Sequence, residues 1–184
     1  PTVVFDAGWG GDSFSWLKTM LDIRLHTRAC VYDRASLGRS DSQTGLRTSQ
    51  QMAEQLHTLL MNAGVEGPYL LVGHSLGGMN MLVFANHYRS DVTGLVLVDS
   101  AHPDQADRWL AVLPTPAPDE SWALANLRKN IPWSNPEDTS SPEPMNWADT
   151  LAQVRGVKSL GDIPLAVLVA VDPEKQNWVI FHLI

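Results

Sequence analysis

Gly73-His74-Ser75-Leu76-Gly77-Gly78 is the stretch that decides the fold of this chain. The residues before it, 68–72, are mostly apolar and predict a short buried strand that begins at a proline. The residues after it, 78–88, predict a helix. A strand that enters a helix through Gly-x-Ser-x-Gly is typical of a nucleophile elbow, a tight turn that strains the serine backbone and exposes its hydroxyl. The competing interpretation is an ordinary glycine-rich turn, which the flanking strand and helix disfavour.

Apolar segments elsewhere in the chain predict further buried strands. Their Val and Leu runs are nearly continuous rather than alternating, as in parallel strands that are covered on both faces. The predicted strands cover 2–7, 28–33, 68–73, 94–99 and 164–170. Helical patterns lie between them, and the clearest begins at a capping box formed by Thr48 and Gln51. This alternation predicts an α/β fold, with a mostly parallel sheet flanked by helices.

The segment 103–161 differs from the rest of the chain in composition, because proline and tryptophan are concentrated in it. Its length far exceeds what a crossover between neighbouring strands requires. We therefore predict a helical cap, or lid, inserted after the strand that ends at Asp99. The predicted cap helices cover 106–112, 120–130 and 145–155. The resulting organisation is a core over 1–102, a cap over 103–161, and an incomplete continuation of the core over 162–184.

Composition excludes several classes of partner. The chain has 184 residues and a formal net charge of −7, which argues against nucleic acid or an anionic membrane surface as a partner. It contains no apolar run long enough to span a membrane. No secretion signal is recognisable, which favours the cytoplasm, although the start at Pro1 leaves processing at the front open. The sequence does not indicate an oligomeric state.

The sequence carries no recognisable cofactor or metal motif. The glycine-rich segment 8–11 follows a strand but lacks the Lys-Ser/Thr ending of a phosphate loop. Histidines and carboxylates do not have the spacing of metal ligands. We therefore expect neither a metal nor a cofactor.

Four blocks of sequence resemble the α/β-hydrolase superfamily, and in particular its lid-bearing bacterial esterase-like members. The segment 7–11 stands where the family carries a His-Gly-x-Gly oxyanion loop, with Ala7 in place of the histidine. The segment 32–41 resembles the family's Asp-x-x-Gly-x-Gly-x-Ser loop. Segments 72–78 and 95–100 match the elbow and the strand that follows it. The resemblance runs from Pro1 to about Asp172.

This resemblance implies roles for residues at the carboxyl edge of the sheet. Ser75 would be the nucleophile, and the backbone N–H groups of Leu76 and Trp9 would form the oxyanion hole. Gly8 and His74 would contribute to substrate binding. A serine at the elbow argues against the related dehalogenases and epoxide hydrolases, which use a carboxylate nucleophile.

The acid of the triad has two candidates, Asp172 and Asp99. Most members of the superfamily place the acid after the strand that precedes Asp172, whereas some lipases place it where Asp99 stands. Each residue also has a purely structural interpretation, as a surface turn residue or as a stabiliser of neighbouring loops. Asp172 is preferred because its position is the usual one.

The catalytic histidine is the residue that the sequence does not supply. His182 follows Asp172 but lies in an apolar run, 176–184, that resembles a helix. His102 stands at the start of the predicted cap. The family also has two strands before the first strand of this chain and one after its last. We therefore expect a chain that is incomplete at both ends and lacks its base.

Two functions remain open on these observations. The first is a serine hydrolase that cleaves a small apolar carboxylic ester through an acyl-enzyme on Ser75, catalytically incomplete in this chain. The second is a non-catalytic ligand-binding module of the same fold. The intact elbow favours the enzyme, and the missing histidine favours the binding module.

Overall fold

The computed structural model describes residues 1–129, 141–172 and 177–183. Its strands form one sheet with the order β2-β1-β3-β4-β5-β6. They are β1 (Thr2–Asp6), β2 (Ala29–Val31), β3 (Tyr69–His74), β4 (Val92–Val98), β5 (Leu165–Asp172) and β6 (Asn177–Leu183). All neighbouring pairs are parallel except β5 and β6, which are antiparallel. The prediction of a mostly parallel α/β sheet is therefore confirmed.

Helices flank this sheet and connect its strands. They are α1 (Leu17–Ile23), α2 (Ser49–Asn62), α3 (Leu76–His87), α4 (Gln105–Val112), α5 (Trp122–Lys129) and α6 (Trp147–Gly156). The predicted capping box is present at the start of α2, where the N–H of Gln51 donates to the Thr48 hydroxyl at 3.3 Å. In return, the N–H of Thr48 donates to the Gln51 side chain at 3.0 Å. None of the helices in the described ranges is long and apolar enough to cross a membrane.

Both faces of the sheet are covered, and this explains why its strands are apolar throughout. Successive side chains of β1 point to opposite faces. Val3 and Phe5 pack with Val72 on the face that also contacts Trp16 and residues of α1. Val4 belongs to a larger cluster on the other face, formed with buried side chains of α2, α3 and α6. The strands are thereby fixed in one register, and their ends are held in place.

The carboxyl ends of the central strands meet at one edge of the sheet. Asp6 of β1 lies beside Gly73 of β3, and His74 of β3 lies beside Val98 of β4. Ligands bind outside this edge in open α/β sheets, because the loops that follow the strands converge there. This edge therefore positions the predicted site residues.

The prediction of a helix over 176–184 is wrong. Residues Asn177–Leu183 form β6, which pairs with β5. Val179, Ile180 and Phe181 are residue types that favour strands, and pairing with β5 satisfies backbone groups that a helix would satisfy internally. The ends of the predicted helix, 176 and 184, lie outside the described residues.

Candidate active site

Ser75 occupies a strained turn between β3 and α3. Its backbone has φ 51° and ψ −118°, a conformation that a non-glycine residue rarely adopts. The carbonyl oxygen of Ser75 accepts hydrogen bonds from the N–H groups of Gly78 at 3.0 Å and of Ala101 at 3.2 Å. The turn is thus held both by the first turn of α3 and by the segment after β4. The strained conformation is retained because these two hydrogen bonds hold the Ser75 carbonyl in place.

Gly73 and Gly77 allow this turn to pass close to the rest of the sheet edge. A Cβ atom on Gly77 would overlap the carbonyl oxygen of Asp6 in β1, and one on Gly73 would overlap the carbonyl oxygen of Gly77. These obstacles are backbone atoms, which cannot move aside as a flexible side chain can. Glycine is therefore required at both positions for β1, β3 and α3 to meet as they do.

The 7–11 loop, the predicted oxyanion loop, lies directly beside the elbow. A Cβ atom on Gly8 would lie 3.0 Å from His74 Nδ1 and 3.4 Å from Ser75 Cβ. The loop closes on itself through the Gly11 N–H, which donates to the Gly8 carbonyl at 3.0 Å. The structure therefore brings Gly8, His74 and Ser75 together, and Trp9 follows in the same loop. Among the described residues, no backbone carbonyl outside the helices and strands accepts a hydrogen bond from the N–H of Trp9 or Leu76.

A buried ionic network supports this loop from below. Arg34, Asp6 and Glu143 are 4%, 1% and 0% exposed. The Arg34 guanidinium donates to Asp6 Oδ1 at 2.5 Å, and to Glu143 Oε1 at 2.5 Å and Oε2 at 2.8 Å. Arg47 adds a second positive charge, with its Nη2 at 3.8 Å from Glu143 Oε1. Two carboxylates and two guanidinium groups thus balance each other out of contact with water.

The protonation states within this network follow from burial and charge. Burial alone would lower the pKa of the Arg34 guanidinium, but the neighbouring Asp6 and Glu143 carboxylates raise it above its usual value. Burial and then the charge of Asp6 raise the pKa of the nearby Tyr32 phenol well above its usual range. Arg34 is therefore a permanent cation and Tyr32 is neutral. Asp6 also accepts a hydrogen bond from the Asn80 side chain at 2.9 Å.

Asp99 stands at the end of β4 in an open environment. Its backbone has φ 42°, and its N–H donates to the Leu168 carbonyl at 2.7 Å. Its side chain is exposed, and the structure gives its carboxylate no hydrogen-bond partner among the described residues. Asp99 and the exposed His102 line a cavity of about 590 Å³ whose apolar wall includes Met79 and Leu97.

Asp172 and His182 are defined by their backbone positions, since their side chains lie outside the described part of the structure. Asp172 ends β5, the strand next to β4, at the same edge of the sheet as Asp99. His182 pairs with Ala166, near the amino end of β5. Its backbone is three strands away from β3, a lateral distance of about 14 Å. This placement puts His182 out of hydrogen-bonding reach of Ser75.

Comparison with known proteins agrees with this geometry. Residues 3–181 match the sequence model of the family described as "Alpha/beta hydrolase family". The chain belongs to this family. The Bacillus subtilis (strain 168) protein YqjL is 39% identical over 105 residues, which make up 57% of this chain and 42% of that protein. The match to this curated relative therefore covers less than half of the relative's length.

Solved structures of similar fold include two lipid- or ester-cleaving enzymes. A thermophilic esterase from Thermogutta terrifontis has 24% identity and a TM-score of 0.59, and the match covers 91% of this chain and 70% of that chain. A monoacylglycerol lipase from Paleococcus ferrophilus has 18% identity and a TM-score of 0.60, with 91% of this chain and 72% of that chain covered. At these identities, the likeness shows the fold.

In this α/β hydrolase, sequence reasoning missed the network beneath the loop. Arg34 belongs to a quoted motif, but Glu143 lies between two prolines with no periodic pattern around it. The two residues are separated by 109 positions. The only signal in the sequence was the position of Arg34 inside the motif 32–41, and this position does not indicate which carboxylate pairs with it. Among the described residues, no group of His, Cys, Asp and Glu is arranged to hold a metal ion.

Proposed function

We propose that this α/β hydrolase carries the nucleophile and oxyanion hole of a serine hydrolase that cleaves a small apolar carboxylic ester. The observation that carries the proposal is the positive φ of Ser75 at the junction of β3 and α3. A strained serine at this point of an open α/β sheet presents its hydroxyl beyond the edge where ligands bind.

The proposed reaction proceeds through an acyl-enzyme. The Ser75 oxygen attacks the ester carbonyl carbon, and its proton passes to a general base. The N–H groups of Leu76 and Trp9 stabilise the negative oxygen of the tetrahedral intermediate. Collapse of the intermediate breaks the bond to the alcohol, which leaves with the proton. Water then hydrolyses the ester between Ser75 and the acyl group.

A triad also needs a carboxylate and a histidine base. We take Asp172, or in its place Asp99, as the carboxylate that would orient the base. Both follow neighbouring strands at the edge where Ser75 lies. His182 lies three strands away from β3, and Nδ1 of the exposed His102 accepts a hydrogen bond from the Asp104 N–H at 3.1 Å, so we assign neither as the base.

An apolar substrate is supported by the segment 103–161, which we propose as the cap. The exposed fractions of its large apolar side chains include 42% for Trp109, 80% for Val112 and 79% for Trp122. Such a surface can cover an apolar acyl or alcohol group at little cost in desolvation. The esterase and the monoacylglycerol lipase of similar fold are consistent with this class of substrate.

Labelling with a fluorophosphonate tests the proposal, because the reagent reacts faster with a serine hydroxyl that its site activates. We expect slow labelling of the chain, supported by the oxyanion hole without an assigned base, and loss of the label in Ser75→Ala. The matched control is Ser100→Ala, because Ser100 lies after β4 and its hydroxyl donates only to the adjacent Ala101 carbonyl at 3.2 Å. Circular dichroism should show the same fold in all three proteins. Equal labelling of Ser75→Ala would overturn the assignment of the nucleophile.

A non-catalytic ligand-binding module is the second candidate, and the position of His182 favours it. In that case a folded chain would bind an apolar ester such as p-nitrophenyl butyrate without cleaving it, and Ser75 would not react with the fluorophosphonate. Release of p-nitrophenol that Ser75→Ala abolishes would exclude this candidate.

A further inference from the structure

We infer that Arg34 and Glu143 are positioning residues, which hold the Gly8–Trp9 peptide so that the Trp9 N–H is fixed beside Ser75. The inference rests on the proposed function, since it concerns the donor that would stabilise the oxyanion. Arg34 and Glu143 lie outside the elbow, however, and contact the 7–11 loop.

Arg34 holds the loop through its carbonyl groups. Its Nη1 donates to the Ala7 carbonyl at 2.7 Å, and its Nη2 donates to the Gly8 carbonyl at 2.7 Å. A peptide unit is planar, so the Gly8 carbonyl and the Trp9 N–H lie in one plane and point in opposite directions. Fixing the carbonyl oxygen therefore fixes the direction of the Trp9 N–H.

Glu143 holds the same loop through its N–H groups. Its Oε2 accepts a hydrogen bond from the Gly10 N–H at 2.8 Å, and its backbone carbonyl accepts one from the Trp9 indole at 2.7 Å. The guanidinium thus holds the Gly8–Trp9 peptide, and the carboxylate holds the Trp9–Gly10 peptide that follows it. Glycine at position 10 has φ 71° and would otherwise make this part of the loop pliable.

The two positioning residues also hold each other. Arg34 and Glu143 share a two-pronged ion pair of 2.5 Å and 2.8 Å, and both side chains are buried. Bidentate pairs of this kind impose direction as well as attraction. A buried ion pair is by itself weak evidence for stability, because desolvation of the charges offsets their attraction. Its contacts with three consecutive peptide groups of the loop give it a more specific role.

Arg34 and Glu143 come from distant parts of the chain. Arg34 follows β2, whereas Glu143 belongs to the segment between β4 and β5 that we propose as the cap. The loop therefore has its full set of contacts only when that segment is packed against it. Loss of one preorganised donor from an oxyanion hole lowers kcat by about 10²–10³-fold.

The test compares rates of Ser75 phosphonylation by a fluorophosphonate in Glu143→Gln and in a matched control. Glu143→Gln keeps the shape of the side chain but loses its charge and one acceptor. The control is Thr150→Val, which removes another buried hydrogen bond, from the Ser49 N–H to the Thr150 hydroxyl at 3.3 Å, without touching the loop. We expect the rate to fall about tenfold or more in Glu143→Gln and to stay within about twofold in Thr150→Val.

A second, milder variant covers the case in which Glu143→Gln does not fold. Trp9→Phe replaces the indole with a smaller phenyl ring, which removes the N–H that donates to the Glu143 carbonyl and keeps the backbone donor. We expect a smaller fall in the rate, of about threefold to tenfold. If ester hydrolysis is measurable, kcat should fall while KM changes little, because the affected contact forms mainly in the transition state.

Hydrogen exchange separates this inference from the proposed function. The amide hydrogen of Gly10, which donates to Glu143 Oε2 at 2.8 Å, should exchange faster in Glu143→Gln than in Thr150→Val, whether or not Ser75 reacts. Absence of labelling in the unaltered chain would count against the proposed function alone. Equal exchange in the two variants, or equal phosphonylation rates, would overturn the role of Arg34 and Glu143 as positioning residues.

Discussion

The two halves of the sheet's carboxyl edge differ in how firmly they are built. The half formed by β1 and β3 carries the 7–11 loop and Ser75, and it rests on the buried charges of Asp6, Arg34 and Glu143. The half formed by β4 and β5 carries Asp99, whose exposed side chain borders an open cavity of about 590 Å³. Buried ion pairs support the first half, whereas the Asp99 carboxylate in the second half has no side-chain partner among the described residues.

This difference has a chemical meaning under the proposed function. Donors that stabilise a transition state must already be in place before the reaction, because their reorganisation would consume the gain. The β1–β3 half meets this requirement through contacts within the described chain. We therefore expect substitutions there to affect stability strongly, and substitutions in the β4–β5 half to affect it little.

The largest expected effect is that of Gly77→Ala in the β1–β3 half. The new methyl group would overlap the backbone of Asp6, and we expect a loss on the order of 4 kcal/mol or more in the free energy of unfolding. The control is Gly156→Ala at the end of α6, where an added Cβ meets no atom within 4 Å. That change should be neutral or stabilise by about 0.5–1 kcal/mol. Thermal unfolding followed by circular dichroism measures both variants. A soluble Gly77→Ala variant with an unchanged melting temperature would contradict the prediction.

Removing the central cation should have the next largest effect. Arg34→Met leaves the carboxylates of Asp6 and Glu143 buried without their main partner, and we expect a cost of about 3–5 kcal/mol. Arg155→Met removes a comparable ion pair with Asp104 at 2.9 Å, in which both side chains are over 40% exposed. This control should leave the midpoint of urea unfolding nearly unchanged, because solvent screens an exposed ion pair. Urea unfolding near neutral pH compares the two variants. Similar midpoints for Arg34→Met and Arg155→Met would show that burial of the network does not increase the cost of losing its cation.

A pH-dependent contribution should come from Asp33, at the rim of the β1–β3 half. Partial burial would raise its pKa, but hydrogen bonds from the N–H groups of Arg39 at 2.9 Å and Ser13 at 2.7 Å lower the pKa below the usual value. A depressed pKa contributes stability above the unfolded value of about 3.9, and this contribution is lost as the pH falls through the folded value.

Asp33→Asn should therefore lower the melting temperature most at neutral pH and progressively less as the pH falls below about 4. The exposed Asp22 of α1 provides the control substitution, Asp22→Asn. Melting curves between neutral and acidic pH measure the difference. A constant gap between Asp33→Asn and the unaltered chain at every pH would rule out the ionised carboxylate as the cause.

The smallest effect on stability should be that of Asp99→Asn in the β4–β5 half. An exposed carboxylate without a side-chain partner contributes within about 0.5 kcal/mol, and asparagine tolerates a positive φ as aspartate does. If Asp172 is the triad acid, Asp172→Asn should slow labelling of Ser75 by up to about 10⁴-fold while Asp99→Asn leaves it unchanged. The reverse result would assign the acid to Asp99.

Much of the fold could be predicted from the sequence, because the signals are local. Continuous apolar runs predicted the five parallel strands β1 to β5, and the structure confirms them. Thr48 and Gln51 predicted the start of α2 because a capping box is complete within one helical turn. The largest difference in length is at β2, which was predicted over 28–33 and covers only Ala29–Val31. In the segment 176–184, the spacing of the apolar residues does not distinguish a strand from a helix. The strand Asn177–Leu183 forms because it pairs with β5.

The sequence by itself determined the elbow at Ser75 and the order of the parallel strands along the chain. Each depends on residues only a few positions apart, through glycine conformation or through the burial of consecutive apolar side chains. Only the tertiary structure decided that Arg34 lies between Asp6 and Glu143, the latter 109 positions away. A charge needs a partner only once it is buried, and the fold alone determines which opposite charge is brought to it.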